Sequence, residues 1–207
     1  KESPTAYRQF QLYQQALAQL QAAGIDPPQK HMCNSGGSDW FRASFCNAVR
    51  IGRRLYMDNQ AEPLTPGTPG AVQEACSWRA SVTNLRVVEA GDTVGYDAAW
   101  TAPRRTRVAT VCVGYGDGLY YPLAEAGGPL LVGEQRARLL ATCMDQCFVD
   151  VTDIPCRAGD EVTFFGQSSG GAAMPIQELG KFMHVEGVYF YSFLSPRVAR
   201  VYEGLEP

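Results

Sequence analysis

The sequence predicts an α+β chain in which a short α/β segment precedes an all-β domain. Residues 5–23 carry Ala, Leu and Gln with apolar positions at helical spacing, and Gly24 with the "DPP" at 26–28 ends this helix. A short strand, a Gly/Ser turn and an apolar stretch at 48–57 follow, which together complete one α/β repeat. Beyond residue 76 the apolar runs are short and bounded by turn residues, as is typical of β-structure.

Short apolar runs supply the predicted strands of the second half. The sequences "EAGD" at 89–92 and "RAGD" at 157–160 are typical of turns and separate neighbouring runs. One helix is predicted at 175–183, "PIQELGKFM". The predicted strands are "CSWRASVTNLRVV", "DTVGYDAAW", "RVATVCVGY", "PLLVG", "ARLLATC", "CFVDVT" and "DEVTFFG".

The domain boundary is predicted at residues 57 and 58, which gives a first domain of 1–57 and a second of 58–207. The stretch "NQAEPLTPGTPGA" at 59–71 is rich in Pro and Gly and predicts a linker. One α/β repeat can neither cover both faces of a parallel strand nor close a barrel. We therefore expect residues 1–57 to be the tail of a larger α/β domain whose start is absent.

Composition excludes several classes of protein. The 207 residues carry a formal net charge of −3, which provides no basic face for nucleic acid. No apolar run reaches the roughly 18–20 residues needed to span a bilayer, and no signal peptide opens the chain. The seven cysteines form no CxxC pair, and with only His31 and His184 present a zinc site has little support. We expect reduced core thiols in a cytosolic protein.

Two glycine turns are candidates for phosphate binding. The "NSGG" at 34–37 offers a hydroxyl and unobstructed backbone N–H groups, although by itself the motif favours a plain turn. The "RIGR" at 50–53 adds a second glycine and cationic neighbours, and two such turns at consecutive βα ends of a barrel are a recurrent phosphate site. The "VGYGDG" at 113–118 lacks the GxGxxG spacing, which argues against a Rossmann fold.

Two tyrosines follow glycines in similar settings, Tyr96 in "VGYDAAW" and Tyr115 in "VGYGDG". Local sequence leaves two interpretations open for each, an ordinary strand tyrosine or a proton-transfer group. A free tyrosine has a pKa of about 10, so it acts as a base near neutral pH only where its surroundings lower that value.

Several segments taken in order resemble the C-terminal part of alanine racemases. They also resemble the racemase domain of the membrane-bound serine/alanine racemases of vancomycin-resistance clusters. The resemblance implies that residues 1–57 are the last βα part of a (β/α)8 barrel and that 58–207 form a C-terminal β-domain. It implies pyridoxal 5′-phosphate as the cofactor. The segments are "HMCNSGG", "AVRIG", "VGYDAAW", "VGYGDG", "CMDQCFVDVT", "AGDEV" and "SPRVAR".

The resemblance implies roles for residues around the substrate. Tyr96 matches the tyrosine base that exchanges the Cα proton on one face of the substrate, and in the family dimer this tyrosine reaches into the partner subunit's site. Tyr115 matches the tyrosine that lines the entrance. The backbone N–H of Met144 would meet the substrate carboxylate, and Asp145 would lie along the entry corridor.

The resemblance also implies cofactor contacts in the first domain. Ser35 and the backbone N–H groups of Gly52 and Arg53 match the phosphate cradle. Arg50 matches the arginine facing the pyridine nitrogen, with His31 as its hydrogen-bonding neighbour. Because arginine stays protonated, it keeps that nitrogen unprotonated and weakens the ring as an electron sink, which favours simple proton exchange over side reactions.

The sequence departs from the family pattern at the lysine that forms the Schiff base with the cofactor. None of Lys1, Lys30 and Lys181 matches its surroundings, so we expect that lysine, which is also the second base, not to be in this chain.

Three further positions also differ from the family. Val188 stands where the family has a tyrosine at the phosphate, and either that tyrosine is replaced or Tyr189 serves after a one-residue shift. Two corridor arginines are replaced by Tyr121 and Ala141. Their loss would weaken the attraction of an amino-acid carboxylate, or would suit a different or bulkier amino acid.

The predicted function is that of the C-terminal portion of a racemase interconverting L- and D-alanine, or serine, by two-base proton exchange. This chain alone is expected to be inactive and to need a homodimer or the missing N-terminal barrel half. The alternative is a catalytically incompetent racemase-like module for dimerisation or binding. The expected location is the cytoplasm, as a whole protein or as the cytoplasmic domain of a membrane-anchored one.

Overall fold

The computed structural model describes residues 3–57 and 74–204. The chain forms two compact units, Lys1–Ala75 and Cys76–Pro207, which we call the α/β unit and the barrel unit. The predicted linker at 59–71 lies outside the described residues, so the boundary at 57 and 58 stays a prediction.

Helix α1, Pro4–Ala22, confirms the predicted first helix. It begins where the Ser3 hydroxyl accepts the N–H of Ala6 at 3.4 Å, with Pro4 at a position that needs no intrahelical N–H donor. Gly24, at φ +75°, follows the helix end and allows the chain to turn away.

Aromatic side chains attach α1 to the rest of the α/β unit. The rings of Tyr7 and Phe10 meet the Phe41 ring edge-on, with centroids 4.7 and 5.3 Å away. Tyr13 hydrogen-bonds with the Cys46 side chain and the His31 backbone, and burial together with the Cys46 thiol raises the pKa of its phenol. These contacts hold the helix over the segment that carries the glycine turns.

The predicted short strand at His31 is reduced to a single parallel bridge between His31 and Ala48. A parallel pair is stabilised by further strands beside it, and the described part of this unit contains none. After the bridge, "NSGG" opens a short helix, α2, Ser35–Trp40, in which the Asn34 side chain accepts the Gly37 N–H at 2.9 Å. Two 3₁₀ turns follow, Arg42–Phe45 and Arg53–Leu55.

The barrel unit is built on nine strands within the described residues, in agreement with the predicted all-β second half. The longest strand, β1, pairs with β4 on one side and with β8 on the other, so six strands close in the order β1-β4-β7-β6-β5-β8. The strands are β1 Trp78–Val88, β2 Thr93–Val94, β3 Trp100–Thr101, β4 Thr106–Val111, β5 Pro129–Val132, β6 Gln135–Thr142, β7 Cys147–Asp150, β8 Glu161–Gln167 and β9 Ala173–Met174.

The interior of the barrel is apolar and fully enclosed. Closing the barrel turns one face of every strand inward, so the inward positions carry the branched and aromatic residues of the sequence. At about 25 cal/mol per Å² of buried apolar surface, this core is the main source of stability for the unit. Its most buried members include Val82, Val111, Leu130, Val132, Leu139, Val149 and Val162.

The barrel unit contains three helices in its described part, of which the sequence predicted one. Helix α4, Ile176–Met183, confirms the prediction at 175–183. The other two, α3 Tyr121–Glu125 and α5 Val188–Phe193, are too short to form from helix propensity alone and depend on packing. No helix within the described ranges is long and apolar enough to cross a bilayer.

The cysteines only partly match the expectation of core thiols. Four are buried, Cys33, Cys143, Cys147 and Cys156. Three are exposed, Cys46, Cys76 and Cys112, which corrects the expectation for these positions. Cys112, for example, directly follows β4, where its side chain points to the outside of the barrel wall.

Candidate active site

Tyr96 lies on a turn and not in a strand, which corrects the prediction of a continuous strand at 92–100. Strands β2 and β3 pair, and between them Gly95, Asp97 and Ala98 adopt positive φ angles of +89°, +50° and +55°. Such angles interrupt an extended strand. The turn closes with the Ala99 N–H donating to the Tyr96 carbonyl at 2.9 Å, and it leaves the Tyr96 side chain 57% exposed.

A buried cluster beneath this turn fixes its position on the barrel. Val94, just before the turn, is buried in the cluster, and Trp100, just after it, packs against the cluster from outside. Both ends of the turn are therefore anchored while Tyr96 projects away from the barrel wall. The cluster consists of Val88, Val94, Ala102, Val108, Leu140, Ala141, Cys143 and Phe148.

Tyr115 lies on the loop Gly114–Gly118, which we call the Tyr115 loop, directly against the turn of residues 143–145. The Tyr115 N–H donates to the Cys143 carbonyl at 3.0 Å, and the Gly116 N–H donates to the Met144 carbonyl at 2.8 Å. The approach is so close that a β-carbon on Gly114 would stand 2.3 Å from the Cys143 carbonyl oxygen. Gly114 and Gly116 of "VGYGDG" are therefore required by this contact between two loops and not by a nucleotide.

Met144 and Asp145 are both exposed beside the Tyr115 loop. The Met144 N–H finds no hydrogen-bond acceptor among the described residues, while its carbonyl is engaged by Gly116. An exposed N–H of this kind can bind a carboxylate. Asp145 lies near enough to Tyr96 for its negative charge to raise the pKa of the Tyr96 phenol. The predicted residues Tyr96, Tyr115, Met144 and Asp145 thus lie together.

The pKa of Tyr96 is raised above its ordinary value of 10.0. The principal cause is the thiol of Cys143, followed by partial desolvation and by Tyr115 and Asp145. Each of these side chains is negatively charged when ionised, and a negative neighbour disfavours a phenolate on Tyr96. The described surroundings therefore keep Tyr96 protonated, and a cation must approach it before it can serve as a base.

Sequence reasoning missed Asp117, the residue that organises the Tyr115 loop. Its carboxylate is buried and accepts the Gly114 N–H at 2.9 Å, and Arg197 Nε lies 3.5 Å from its Oδ1. The carboxylate three residues after a glycine was an available signal, because Asp side chains often accept backbone N–H groups at that spacing. Arg197 lies in "SPRVAR", one of the segments that carry the resemblance, but no role was predicted for it.

Tyr121 and Ala141, which the resemblance matches to corridor arginines of the family, have different surroundings. The Tyr121 ring is exposed and meets the Tyr115 ring edge-on, with centroids 6.1 Å apart. Ala141 is only 3% exposed and belongs to the cluster under the Tyr96 turn. Position 121 thus adds an aromatic wall beside Tyr115, whereas position 141 serves the packing of the barrel.

The α/β unit has an open cavity of about 520 Å³ formed by the two glycine turns. The Ser35 hydroxyl is buried and accepts the Gly52 N–H at 2.9 Å, which ties the turns together and leaves its own O–H as a donor. A β-carbon on Gly52 would meet nothing within 4 Å, so the cavity is open at that point. The lining residues are Asn34, Ser35, Gly36, Arg50, Ile51, Gly52 and Arg53.

Of the predicted cofactor residues, His31 is not among those lining the cavity. Arg50 lines it, with its N–H donating to the Cys33 carbonyl at 2.9 Å and its Nη2 to the Met32 carbonyl at 3.4 Å. Arg50 therefore bonds to the strand backbone and not to the His31 ring. The roles assigned to Arg50 and His31 by the resemblance stay predictions.

The remaining predicted positions occupy separate places. Tyr189 is 53% exposed and lines an apolar cavity of about 250 Å³ in the barrel unit, while Val188, where α5 begins, is half-buried. Either residue is still compatible with the two interpretations given above. Lys30 is paired with Asp26, with Nζ 2.5 Å from Oδ1.

Comparison with known proteins identifies the fold. A family model described as "Alanine racemase, C-terminal domain" matches residues 75–202, and "Alanine racemase, N-terminal domain" matches residues 1–60. The alanine racemase of Desulforamulus reducens is 32% identical over 95% of this chain and 52% of its own length.

Solved structures show the same similarity in three dimensions. The biosynthetic alanine racemase of Pseudomonas aeruginosa gives a TM-score of 0.78 at 32% identity, covering 98% of this chain and 54% of that one. The alanine racemase of Bartonella henselae with covalently bound pyridoxal phosphate gives 0.81 at 23% identity, covering 97% and 53%. The second of these likenesses shows the fold alone.

The α/β unit and the closed β-barrel with its paired tyrosine loops therefore have the alanine racemase fold. The chain belongs to the alanine racemase family. It spans about half the length of the curated relatives that it matches.

Proposed function

We propose that this chain is part of a pyridoxal-phosphate-dependent racemase that interconverts the L- and D-forms of alanine or serine. One observation carries the proposal. Tyr96, Tyr115 and the 143–145 turn come from three separate parts of the sequence, and the closed barrel brings them to one surface. An exposed tyrosine can carry a proton to or from the Cα of an amino acid, while a ring beside it and an unpaired backbone N–H can position that substrate.

The residues of the α/β unit fit the phosphate of the proposed cofactor. The Ser35 hydroxyl and the open space at Gly52 face one cavity, and Arg50 and Arg53 line it with positive charge. Pyridoxal phosphate, when bound, supplies an electron sink that makes the Cα proton of an amino acid acidic. In this proposal residues 1–57 are the last βα part of a (β/α)8 barrel.

Tyr96 is the proposed base for one face of the substrate. As a phenolate, Tyr96 would accept the Cα proton of one enantiomer while the second base delivers a proton to the opposite face, and as a phenol it would donate a proton to its own face in the reverse direction. The Met144 N–H would hold the substrate carboxylate in place. Because Cys143, Tyr115 and Asp145 raise the Tyr96 pKa, the cation that permits ionisation has to come from outside this group of neighbours. A homodimer, in which Tyr96 faces a partner's cofactor site, would supply it.

The second base is proposed to be the lysine that forms the Schiff base with the cofactor in the family. None of the three lysines of this chain matches it. Since the chain spans about half of its relatives, we assign the complete reaction to the whole protein and not to these residues alone. The proposed residues are Tyr96 as base, His31, Ser35, Arg50, Gly52 and Arg53 at the cofactor, and Tyr115, Met144 and Asp145 at the substrate.

The test uses the full-length protein supplied with pyridoxal phosphate. Wild type should develop the visible absorption of the bound cofactor and interconvert L- and D-alanine or serine, as measured by chiral chromatography. Tyr96→Phe should keep the absorption but lose racemisation, because Phe lacks the oxygen that carries the proton. Tyr202→Phe, which changes a tyrosine that is 72% exposed, is the matched control and should behave as wild type.

Two results would overturn the proposal. Racemisation in both directions by Tyr96→Phe at the wild-type rate would remove Tyr96 from its role. A wild-type protein that neither develops the absorption nor racemises would point to the non-catalytic dimerisation or binding module instead.

A further inference from the structure

The Tyr115 loop is also held by the C-terminal segment of the barrel unit. Asp117 is central to this contact, because its carboxylate accepts the Gly114 N–H at 2.9 Å and its carbonyl accepts the Ser195 N–H at 3.0 Å. Gly118 approaches so closely that a β-carbon there would stand 2.3 Å from the Phe193 carbonyl oxygen. The loop therefore has almost no room to shift towards this segment.

Arg197 completes the contact. Its Nε lies 3.5 Å from Asp117 Oδ1, and its Nη1 lies over Gly116, 3.0 Å from where a β-carbon would stand. Gly116 is the same residue whose N–H donates to the Met144 carbonyl. The Arg197 side chain thus covers the loop at the point where the loop meets the 143–145 turn.

We propose that Arg197 is a positioning residue of the candidate active site, which acts through Asp117 to hold the Tyr115 loop against the 143–145 turn. The proposal rests on the proposed function, in which Tyr115 lines the substrate entrance. Because Asp117 neutralises Arg197, the pair adds no net charge at the entrance and its effect there is geometric. The buried carboxylate needs its cation, so losing either partner loosens the loop.

Amide hydrogen exchange tests the contact directly. In Arg197→Met, which keeps the apolar stem and removes the guanidinium, the Tyr115 and Gly116 amides should exchange about tenfold faster, because their bonds to Cys143 and Met144 open more often. Asp117→Asn retains an oxygen for the Gly114 N–H and should give a similar increase. In the double variant these amides should exchange little faster than in either single variant, because both substitutions remove the same interaction.

The 157–160 turn provides a matched control. Asp160 there also accepts the backbone N–H of the residue three positions earlier, which is Arg157, at 2.8 Å. Its carboxylate also pairs with the Nε of the Arg157 side chain at 3.3 Å. Arg157→Met should leave the Tyr115 and Gly116 amides at their wild-type rates. The amides of Thr106–Val111 should stay protected in every variant, which shows that the barrel is folded. Unchanged exchange of Tyr115 and Gly116 in Arg197→Met would overturn the proposal.

Kinetics of the full-length holoenzyme separate positioning from general destabilisation. Arg197→Met should raise KM for alanine about fivefold to tenfold with a smaller change in kcat, since the entrance is disturbed while Tyr96 is not touched. Arg197→Lys, which restores a positive charge, should recover part of the loss. If wild type racemises and Arg197→Met has wild-type KM and kcat, the positioning role is wrong. If wild type itself is inactive, the proposed function fails, and the exchange experiment still decides whether Arg197 holds the loop.

Discussion

Gly95 packs directly against Ala141, so that a β-carbon on Gly95 would stand 2.9 Å from the β-carbon of Ala141. This contact joins the turn that carries Tyr96 to β6, the strand that leads into Cys143 and Met144. The position of the turn that carries the proposed base therefore depends on Gly95 having no side chain and on Ala141 having a small one. The following predictions test this arrangement and the others described above.

Gly95→Ala should destabilise the barrel unit by about 2–4 kcal/mol, of which about 1–2 kcal/mol reflects the positive φ and the rest the clash with Ala141. Gly91→Ala is the matched control, because Gly91 has a similar φ of +93° and no neighbour within 4 Å of the added carbon. Denaturant unfolding of the two variants measures the difference. Equal losses for both variants would contradict a role for the Gly95–Ala141 contact.

The phenol of Tyr96 should titrate above pH 10.0, because Cys143, desolvation, Tyr115 and Asp145 all raise its pKa. Cys143→Ser removes the largest cause at nearly constant volume and should bring the pKa back towards 10.0. Tyrosinate absorbance, taken as the difference between each protein and its Tyr96→Phe counterpart, reports this titration. Cys112→Ser changes an exposed thiol that is not among the causes of the Tyr96 shift, so it should leave the Tyr96 pKa unchanged. An equal shift of that pKa in both variants would contradict the role of Cys143.

Ser35→Ala should weaken binding of pyridoxal phosphate about tenfold in the full-length protein, because it removes one hydroxyl donor and the acceptor that orients the Gly52 N–H. Fluorescence titration with the cofactor measures the affinity. Ser38→Ala lies in the same short helix, where its hydroxyl donates to the Ser35 carbonyl and does not line the cavity. Ser38→Ala should retain most of the affinity for pyridoxal phosphate. A loss as large as that of Ser35→Ala would contradict a phosphate site formed by Ser35 and Gly52.

Glu161→Gln should reduce the free energy of unfolding by about 1 kcal/mol at neutral pH. Burial alone would raise the pKa of Glu161, but hydrogen bonds from Ser169 and the charge of Arg79 outweigh it and lower the pKa below 4.5. Because the folded state then holds its proton less tightly than the unfolded state, this stability is present above about pH 4.5 and is lost as the pH falls through the folded pKa.

Denaturant unfolding across this pH range should therefore show the curves of wild type and Glu161→Gln converging in acid. Glu89→Gln changes an exposed carboxylate paired with Arg105 at 3.1 Å and should differ little from wild type at any pH. A gap between wild type and Glu161→Gln that stays constant with pH would show that the carboxylate charge is not involved.

Local patterns in the sequence were sufficient for the regular elements. The helix over 5–23 and most of the barrel strands could be predicted because their apolar spacing reflects which face is buried. The turn at Tyr96 could not, since "DTVGYDAAW" alternates like a strand and its positive φ angles at Asp97 and Ala98 are imposed by packing on the cluster beneath. Helix α5, rich in Tyr and Phe, likewise owes its form to tertiary contacts.

The residues of the candidate site could likewise be predicted only in part. Resemblance located Tyr115 and Met144, but only the structure shows that the Tyr115 N–H donates to the Cys143 carbonyl and the Gly116 N–H to the Met144 carbonyl. Asp117 and Arg197 are about eighty residues apart in sequence, and no local pattern connects them. Contacts between distant loops depend on strand register, which a single sequence specifies only through the whole fold.

Closure of the barrel also has a consequence for how the protein folds. The strand pair that completes the cylinder joins Trp78 in β1 to Phe165 in β8, the first and last strands of the closed sheet. During synthesis one edge of β1 must therefore stay unpaired until β8, Glu161–Gln167, has been made. Folding rates fall as contacts become more distant in sequence, so we expect this unit to fold in milliseconds to seconds and to be most prone to aggregate in that interval.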